Sequence, residues 1–221
     1  MDSPPRIDYW RQLGIVKPRE LEFPITLIGA GGIGSPTAWV LAKMGCSHIS
    51  VMDDDSVEVH NFPNQLFRIE DLGKFKVEAL AQIVESFTGT KIQARNERYV
   101  DQPLSGVVVV GVDNMTTRSA VWQKVKLNIG VPLLIDARMG GEIARIHVIR
   151  PCSPHDIKAY ELTLYSDEEA VEVPCTERAI IYNTFMIASI IGDIIKCFAK
   201  QQDLPLEGTA KLVDMTSLSL F

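Results

Sequence analysis

The stretch from Ile25 to Asp55, ITLIGAGGIGSPTAWVLAKMGCSHISVMDDD, decides the fold of this chain. A short apolar run ends at Gly29, and Gly31 and Gly34 complete a GxGxxG pattern that opens an amphipathic helix. A second apolar run then ends at Asp53. This order lets backbone approach phosphates at a helix N-terminus, and the acidic residue can accept ribose hydroxyls. The stretch therefore predicts an adenosine-nucleotide site. A glycine turn needed only for tight packing is the alternative, and it leaves Asp53 without a role.

Composition limits the possible classes of protein. The chain has 221 residues, 46% of them hydrophobic, which is enough for one large α/β domain with a packed core. Its net charge of −6 makes nucleic acid an unfavourable partner. No apolar run approaches transmembrane length, and the N-terminus lacks a signal-peptide layout, so no membrane is expected. Four cysteines without a CxxC pair argue against zinc and disulfides and favour the cytoplasm.

The rest of the chain alternates apolar strands with helices, which is typical of a doubly wound sheet. Further strands are predicted at 91–95, 106–112, 131–135, 142–149 and 211–215. Further helices are predicted between Gly73 and Gly89, from Thr116 or Thr117 to Asn128, and at 179–198. We expect one α/β domain over 1–221 with a Rossmann-like, mostly parallel sheet, extra C-terminal strands and a long C-terminal helix. Its appendages are an N-terminal arm (1–22) and an irregular crossover loop (151–176).

Two carboxylates are predicted at the carboxyl ends of strands, where doubly wound sheets bind ligands. Asp53 ends the second strand, and Asp113 ends the almost wholly β-branched strand at 106–112. Such a pair suggests one acid for ribose and one for a magnesium ion that bridges phosphates. Lys76 and Arg118 are candidates to offset the phosphate charge, although each could equally be a solvated surface cation.

Several segments together resemble one family. They are the run 25–53, its continuation DDSVEVHN to Asn61, the segment GKFKVE at 73–78, and VDNMTTR ending at Arg118. In order and approximate spacing they are similar to the ThiF/MoeB/HesA family, the adenylation fold of ubiquitin-activating enzymes. The resemblance covers most of the chain, from about Tyr9 to the last helix. It implies ATP- and magnesium-dependent adenylation of the C-terminal glycine of a ubiquitin-like or sulfur-carrier protein, with release of pyrophosphate.

The resemblance also implies site residues. Lys76 would neutralise charge that develops on the phosphates, Asp113 would hold magnesium, and Arg11 would reach the ATP of the partner in a homodimer. Positioning and charge neutralisation would carry most of the catalysis. The implied nucleotide-binding residues are Gly29, Gly31, Gly32, Gly34, Asp53, Asp55, Asn61, Asn64, Arg68, Lys76, Asp113 and Asn114.

One departure from the family lies in the loop after the second strand. Where the family commonly has an NLxRQ-type sequence, this chain has NFPNQ at 61–65, so Asn64 stands in place of the expected arginine. Arg68 lies four residues later and is the candidate substitute. The zinc-binding CxxC pairs of many members are absent as well.

The segment Pro174-Cys175-Thr176-Glu177-Arg178 resembles the PxCTxR segment that carries the thioester cysteine in eukaryotic activating enzymes. A thiolate at a helix N-terminus beside an arginine has a lowered pKa and a raised reactivity. Cys175 is therefore the candidate acyl acceptor, Cys152 is the fallback, and a packing role is the alternative. Cys46 and Cys197 lie in apolar helical contexts and are expected in the core.

The segment from Asp136 to Gly141 lies where the family guides the incoming glycine tail. Gly140 and Gly141 after a strand end would let an extended Gly-Gly tail approach closely, and Arg138 could meet its carboxylate. An ordinary glycine turn is the alternative.

Two other functions remain possible at this stage. A nicotinamide- or flavin-dependent oxidoreductase shares the GxGxxG and its acid, although hydride transfer does not require Lys76, Asp113 or the cysteine segment. A non-catalytic dimer partner of an activating enzyme is the other alternative. A homodimer is expected, because the helix at 179–198 has much apolar surface around Ile187, Ile190, Ile191 and Ile194, although burial within the monomer is the simpler account. A conjugating enzyme is a possible further partner.

Overall fold

The computed structural model describes residues 7–166, 179–204, 211–214 and 219–220. In chain order these form β1 (Ile25–Ile28), α1 (Gly34–Met44), β2 (Ile49–Met52), α2 (Lys76–Thr88), β3 (Gln93–Arg95), β4 (Val107–Val110), α3 (Met115–Val125), β5 (Leu133–Gly140), β6 (Ile143–Ile149), α4 (Pro154–Glu161), α5 (Ile181–Ala199), β7 (Lys211–Asp214) and β8 (Ser219–Leu220). Short 3₁₀ turns lie at Trp10–Gln12, Pro18–Leu21, Val59–Asn61 and Ile69–Asp71.

The described strands form one eight-stranded sheet in the order β3-β2-β1-β4-β5-β6-β7-β8. The first five strands in this order are parallel, and β6, β7 and β8 continue the sheet antiparallel. This is the predicted Rossmann-like sheet with additional C-terminal strands. The strand order reverses between β1 and β4, so the carboxyl ends of these two strands flank the crevice in which such sheets bind ligands.

Two apolar cores cover the two faces of the sheet. On one face, α1, α2 and α5 pack their buried residues against alternate strand positions such as Leu27 and Val109. On the other face, α3 and α4 pack Trp122 and Tyr160 against Ile28 and Val108. β4 contributes to both cores and all four of its valines are buried, as its β-branched sequence predicts.

Four predicted boundaries were wrong. α3 begins after Asn114, whose side chain rather than a threonine accepts the capping bond, from Thr117 N at 2.8 Å. It ends at Val125, before Asn128. β5 continues past Asp136 to Gly140 because it pairs antiparallel with β6. The predicted crossover loop contains α4, where Ser153 is the N-cap and Pro154 takes the first turn, a position that proline tolerates.

The length of α5 contradicts the prediction that no apolar run approaches transmembrane length. Its 19 residues are long and apolar enough to cross a membrane, with a mean hydropathy of 1.4 over its most apolar window. A helix buried within a domain passes the same test, and half of that window is buried here. Its residues Ile187, Ile191 and Ile194 are fully buried in the main core. Gly192 lets α5 approach α1 closely, because a Cβ there would lie 3.0 Å from Met44 Sδ.

The N-terminal arm packs onto the domain where it is described. Val16 and Leu21 are buried in the main core, and Gln12 Nε2 donates a hydrogen bond to the Met44 carbonyl at 2.7 Å. Trp10 and Ile15 remain 76% and 62% exposed. The arm therefore presents two large apolar side chains on either side of its attachment point.

Candidate active site

The glycine turn joins β1 to α1, and its glycines serve two purposes. Gly29 has a φ of +101°, and a Cβ there would lie 2.9 Å from the Gly111 carbonyl oxygen. A Cβ on Gly34 would lie 1.8 Å from the Gly29 carbonyl oxygen. These two glycines are thus required by packing alone. A Cβ on Gly31 would come within 4 Å only of Gln65 Nε2, at 3.9 Å, among the described residues, so packing does not require that glycine and the backbone there is open to close approach.

Asp53 binds the glycine turn from the end of β2. Its carboxylate accepts hydrogen bonds from Ala30 N at 2.7 Å and Asp55 N at 2.9 Å. Burial raises the pKa of Asp53, and these two bonds and the charge of Lys76 oppose that effect only in part. Each oxygen holds one backbone donor and keeps a lone pair, so both could still accept from ribose hydroxyls.

Lys76 lies at the start of α2 and is buried. Its Nζ lies 2.7 Å from Asp55 Oδ2, while the Asp55 side chain is 58% exposed. The ligand atoms of Asp53, Asp54 and Asp55 lie within 4.8 Å of one another. The structure therefore brings the predicted ribose acid and the predicted phosphate cation together through Asp55.

The loop at 61–68 contacts the glycine turn and carries two unpartnered amides. Asn61 is buried and accepts from Glu58 N at 2.8 Å, which is a bond within the loop itself. By contrast, Asn64 Oδ1 and Gln65 Oε1 are buried without a hydrogen-bond partner. Buried polar atoms are normally paired, so these two oxygens are candidates to bind a polar ligand.

Arg68, the candidate substitute for the family arginine, is engaged elsewhere. Its Nε and Nη2 each lie 2.9 Å from the Asp71 carboxylate, and its Nη1 lies 2.7 Å from Glu70 Oε1. The Arg68 side chain and Lys74 hold the pKa of the buried Asp71 well below its usual range. A phosphate contact by Arg68 would require this arrangement to open.

Asp113 is exposed in the loop between β4 and α3, beyond the carboxyl end of β4. Asn114 Nδ2 lies 3.3 Å from its Oδ1, and Asn114 also caps α3. Arg118, the second candidate for phosphate charge, is instead buried in an ion pair with Asp136 at 2.7 Å. Its charge therefore acts from beneath the loop and not at its surface.

The predicted tail-binding segment is a strand and a hairpin turn. Arg138 is half-buried and donates to Asp136 at 2.8 Å and to the Thr163 carbonyl at 2.8 Å. Gly140 pairs with Ile143 in the β5–β6 ladder, and Gly141, with a φ of +60°, makes the turn. An incoming tail would thus meet a hairpin and an arginine that already has two partners.

Sequence reasoning missed two residues that approach Gly32, and a third that is their neighbour. A Cβ on Gly32 would lie 3.3 Å from Met139 Cε and 3.4 Å from Thr184 Cγ2. Next to Thr184, Asn183 is fully buried; it donates to the Gly141 carbonyl at 3.0 Å and leaves its Oδ1 unpartnered. The polar Asn183-Thr184 pair at the start of an otherwise apolar helix was the available signal.

The remaining candidates lie apart from this site or outside the described residues. Arg11 is exposed on the N-terminal arm. Cys152 is exposed, and Cys46 and Cys197 are buried as expected. Burial raises the pKa of the Cys46 thiol to about 12, which suits a packing role. Cys175 lies outside the described residues.

Comparison with known proteins agrees with this architecture. In solved structures, E. coli MccB with ATP superposes with a TM-score of 0.73 at 15% identity, over 92% of this chain and 64% of that one. Among curated sequences, the Arabidopsis thaliana NEDD8-activating enzyme E1 catalytic subunit is 35% identical over 44% of this chain and 23% of its own length. The Haloferax volcanii SAMP-activating enzyme E1 is 30% identical over 61% of this chain and 53% of its own length.

Escherichia coli sulfur carrier protein ThiS adenylyltransferase is 26% identical over 73% of this chain and 65% of its own length. The matched region is thus shorter than two thirds of each of these relatives. The profile described as the ThiF family matches residues 19–220, which is nearly the whole chain. This protein therefore belongs to the ThiF family.

Proposed function

We propose that this protein uses ATP to adenylate the C-terminal glycine of a ubiquitin-like or sulfur-carrier protein, acting through one adenylation domain that spans 1–221. The observation that carries the proposal is the bond of Asp53 to the glycine turn and its link to Lys76 through Asp55, beside the parallel strand β4 that Asp113 follows. Family membership and the relatives named for NEDD8, SAMP and ThiS support the same class of substrate.

The nucleotide fits the groups that packing leaves free. Gly31 and Gly32 allow phosphates to approach the N-terminus of α1, where backbone N–H groups and the helix dipole favour negative charge. Asn64 and Gln65, whose side-chain oxygens are buried without a partner, approach these glycines through the Asn64 backbone carbonyl and Gln65 Nε2. Asp53 keeps acceptor capacity for ribose while it holds the turn.

Lys76 is the proposed source of positive charge for the phosphates. The lysine is buried, but its ion-pair partner Asp55 is exposed. ATP phosphates can therefore replace the Asp55 carboxylate as partner of the ammonium while the rest of the lysine stays buried. The exposed carboxylate of Asp113 is a hard oxygen donor of the kind that magnesium prefers. Bound there, the ion would shield the phosphate charge, and no zinc is proposed because the chain lacks CxxC pairs.

The reaction needs no covalent help from the protein. A carboxylate oxygen of the glycine attacks the α-phosphorus, the bond from that phosphorus to the bridging β-oxygen breaks, and pyrophosphate leaves with the electron pair. An acyl-adenylate remains. This chain would supply orientation through the glycine turn and Asp53 and would neutralise charge through Lys76.

The carrier tail is proposed to approach over the β5–β6 hairpin. Gly140 and Gly141 leave the backbone there uncovered by side chains of their own, and Asn183 supplies a buried unpartnered oxygen next to Gly141. Arg138 is proposed to orient this region through its bond to the Thr163 carbonyl. A conjugating enzyme would act after a thioester forms on Cys175.

We further propose a cytoplasmic homodimer. The isoleucines of α5 that suggested it give little support, because Ile187, Ile191 and Ile194 are buried within the monomer and Ile190 is partly buried. The exposed Trp10 and Ile15 on either side of Arg11 support it instead. The cysteines described, at positions 46, 152 and 197, are all free, which is consistent with a reducing compartment.

The two alternative functions have less support. Membership of the ThiF family disfavours a nicotinamide or flavin oxidoreductase. A non-catalytic scaffold is disfavoured because Asp53, Lys76 and Asp113 are all retained and the first two are joined through Asp55. Thermal stability measured with ATP, NADH or NADPH, each with and without magnesium, separates these functions.

Asp113→Ala tests the proposal directly. We expect the variant to lose ATP–pyrophosphate exchange in the presence of the carrier, because the proposed metal ligand is absent. Asp101→Ala is the matched control, since Asp101 is another exposed carboxylate and pairs with the partly exposed Lys124 at 2.8 Å. Unimpaired exchange in a folded Asp113→Ala protein would contradict the metal assignment.

A further inference from the structure

A buried polar cluster surrounds Asp136 at the point where β5 leaves its parallel neighbour and joins β6. Asp136 is fully buried. Its Oδ1 lies 2.7 Å from Arg118 Nε, and its Oδ2 lies 2.8 Å from Arg138 Nε and 3.1 Å from the Tyr160 hydroxyl. None of these contacts reaches the proposed nucleotide directly, so the cluster needs another explanation.

The Nη1 and Nη2 atoms of Arg118, which do not bond Asp136, suggest a role for the cluster. Nη2 donates to the Val112 carbonyl and Nη1 lies 3.5 Å from the Asn114 carbonyl. These two carbonyls stand immediately before and after Asp113. One guanidinium therefore ties both sides of the Asp113 residue to a buried anchor.

We propose that Arg118, anchored by Asp136, is a positioning residue that fixes the Asp113 carboxylate for a magnesium–nucleotide complex. The inference rests on the proposed function. Asp113 itself is exposed and sits in a loop, so its place depends on how that loop is held. The Asn114 cap fixes the helix side of the loop, and Arg118 fixes both sides.

Charge explains why two arginines are present. Burial by itself disfavours the ionised form of Asp136, yet Arg118 and Arg138 hold the pKa of this carboxyl below its usual range. Arg138 can thus keep Asp136 ionised while Arg118 donates through Nη1 and Nη2 to the two loop carbonyls, with Nη2 also donating to the Ala137 carbonyl of β5 at 3.2 Å. A lysine cannot reproduce this division, because an ammonium lacks the rigid fork that reaches a carboxylate and two carbonyls at once.

The test measures binding of α,β-methylene-ATP by calorimetry, once with Mg²⁺ and once with EDTA. We expect Arg118→Lys to weaken magnesium-dependent binding about tenfold or more, as is typical when a partner of a metal ligand is lost. Binding in EDTA should change less than about twofold, because the glycine turn and Asp53 are untouched. Asp136→Asn should show the same pattern where it folds.

Asp156→Asn is the matched control for the loss of a buried ion pair. Asp156 is 2% exposed and pairs with Arg150 at 3.0 Å, but its contacts lie around the start of α4 and not in the Asp113 loop. It should lose stability, measured by circular dichroism, and keep wild-type nucleotide affinity in both conditions.

The outcomes separate this inference from the proposed function. If the wild-type protein binds the analogue neither with Mg²⁺ nor in EDTA, both the proposed function and the positioning role of Arg118 are wrong. Magnesium-dependent binding that survives in folded Arg118→Lys overturns the positioning role alone. Equal weakening with Mg²⁺ and EDTA also overturns it, because that pattern indicates general damage to the site.

Discussion

Among single residues, His147 shows how burial sets acid–base behaviour in this protein. The side chain is 4% exposed, lies opposite Asp136 in the β5–β6 register, and has no partner for Nε2. Burial and then the charge of Arg138 lower its pKa to about 4, while Asp136 opposes the shift. The folded protein therefore keeps His147 neutral at pH values where an unfolded chain would protonate it.

This shift predicts a loss of stability on mild acidification. Between pH 6.5 and pH 4 the unfolded state binds a proton that the folded state refuses, so the free energy of unfolding falls as pH falls. His147→Gln should remove about 2 kcal/mol of the decrease between pH 7 and pH 5, measured by urea unfolding. The exposed His60→Gln is the control. A His147→Gln protein with the wild-type pH slope would contradict the assignment.

Among the elements, those with a local signal could be predicted from the sequence. The turn and β-branched patterns locate β1, α1, β2 and β4 within a few residues. The end of β5 could not be predicted, because its last residues are strand only through pairing with β6, and two adjacent glycines favour a turn. α4 was hidden by the prolines around it, one of which opens it.

In the candidate site, too, residues with a local sequence signal could be predicted and those brought together only by the fold could not. Asp53 follows from the turn and its spacing, because neighbouring strand ends must meet at one edge of the sheet. Lys76 does not, because it begins a helix, and the family resemblance rather than the spacing gave its role. The approach of Met139 and Thr184 to Gly32 brings together segments far apart in the chain, and no local pattern fixes it. Likewise, Arg118 has a surface-like sequence context, and only the fold shows that it is buried on Asp136.

The close contact between the glycine turn and the start of α1 predicts that Gly34 cannot be replaced without loss of stability. Gly34→Ala should unfold the protein or cost several kcal/mol, because the new methyl group would meet the Gly29 carbonyl oxygen at 1.8 Å. Gly14→Ala is the control, since nothing lies within 4 Å of a Cβ there. Thermal unfolding of both variants measures the difference. Equal melting temperatures would show that the turn can shift without cost.

At the scale of the whole molecule, the exposed arm predicts that two subunits share each site. Arg11 is exposed next to Trp10, which is 76% exposed, and this part of the arm is the surface proposed to contact a second subunit. In a mixed dimer of Arg11→Ala and Asp113→Ala protomers, one of the two sites would have both an intact arm and an intact Asp113. Pyrophosphate exchange should then recover in part. A verified mixed dimer without recovery would argue against action across subunits.

The proposed transfer of the acyl group to a thiol also belongs to the scale of the whole molecule, and Cys175 is its candidate. Cys175→Ser should keep pyrophosphate exchange, because the proposed nucleotide ligands are untouched, and should lose a reductant-sensitive conjugate with the carrier. A slower oxyester can replace it, since an alkoxide forms less readily than a thiolate. Cys152→Ser is the control, because Cys152 is the exposed cysteine among the described residues. Gel analysis with and without thiol reductant follows both variants. A wild-type protein that forms adenylate but never a thiol-labile conjugate would leave Cys175 structural, and the reaction would end at the acyl-adenylate.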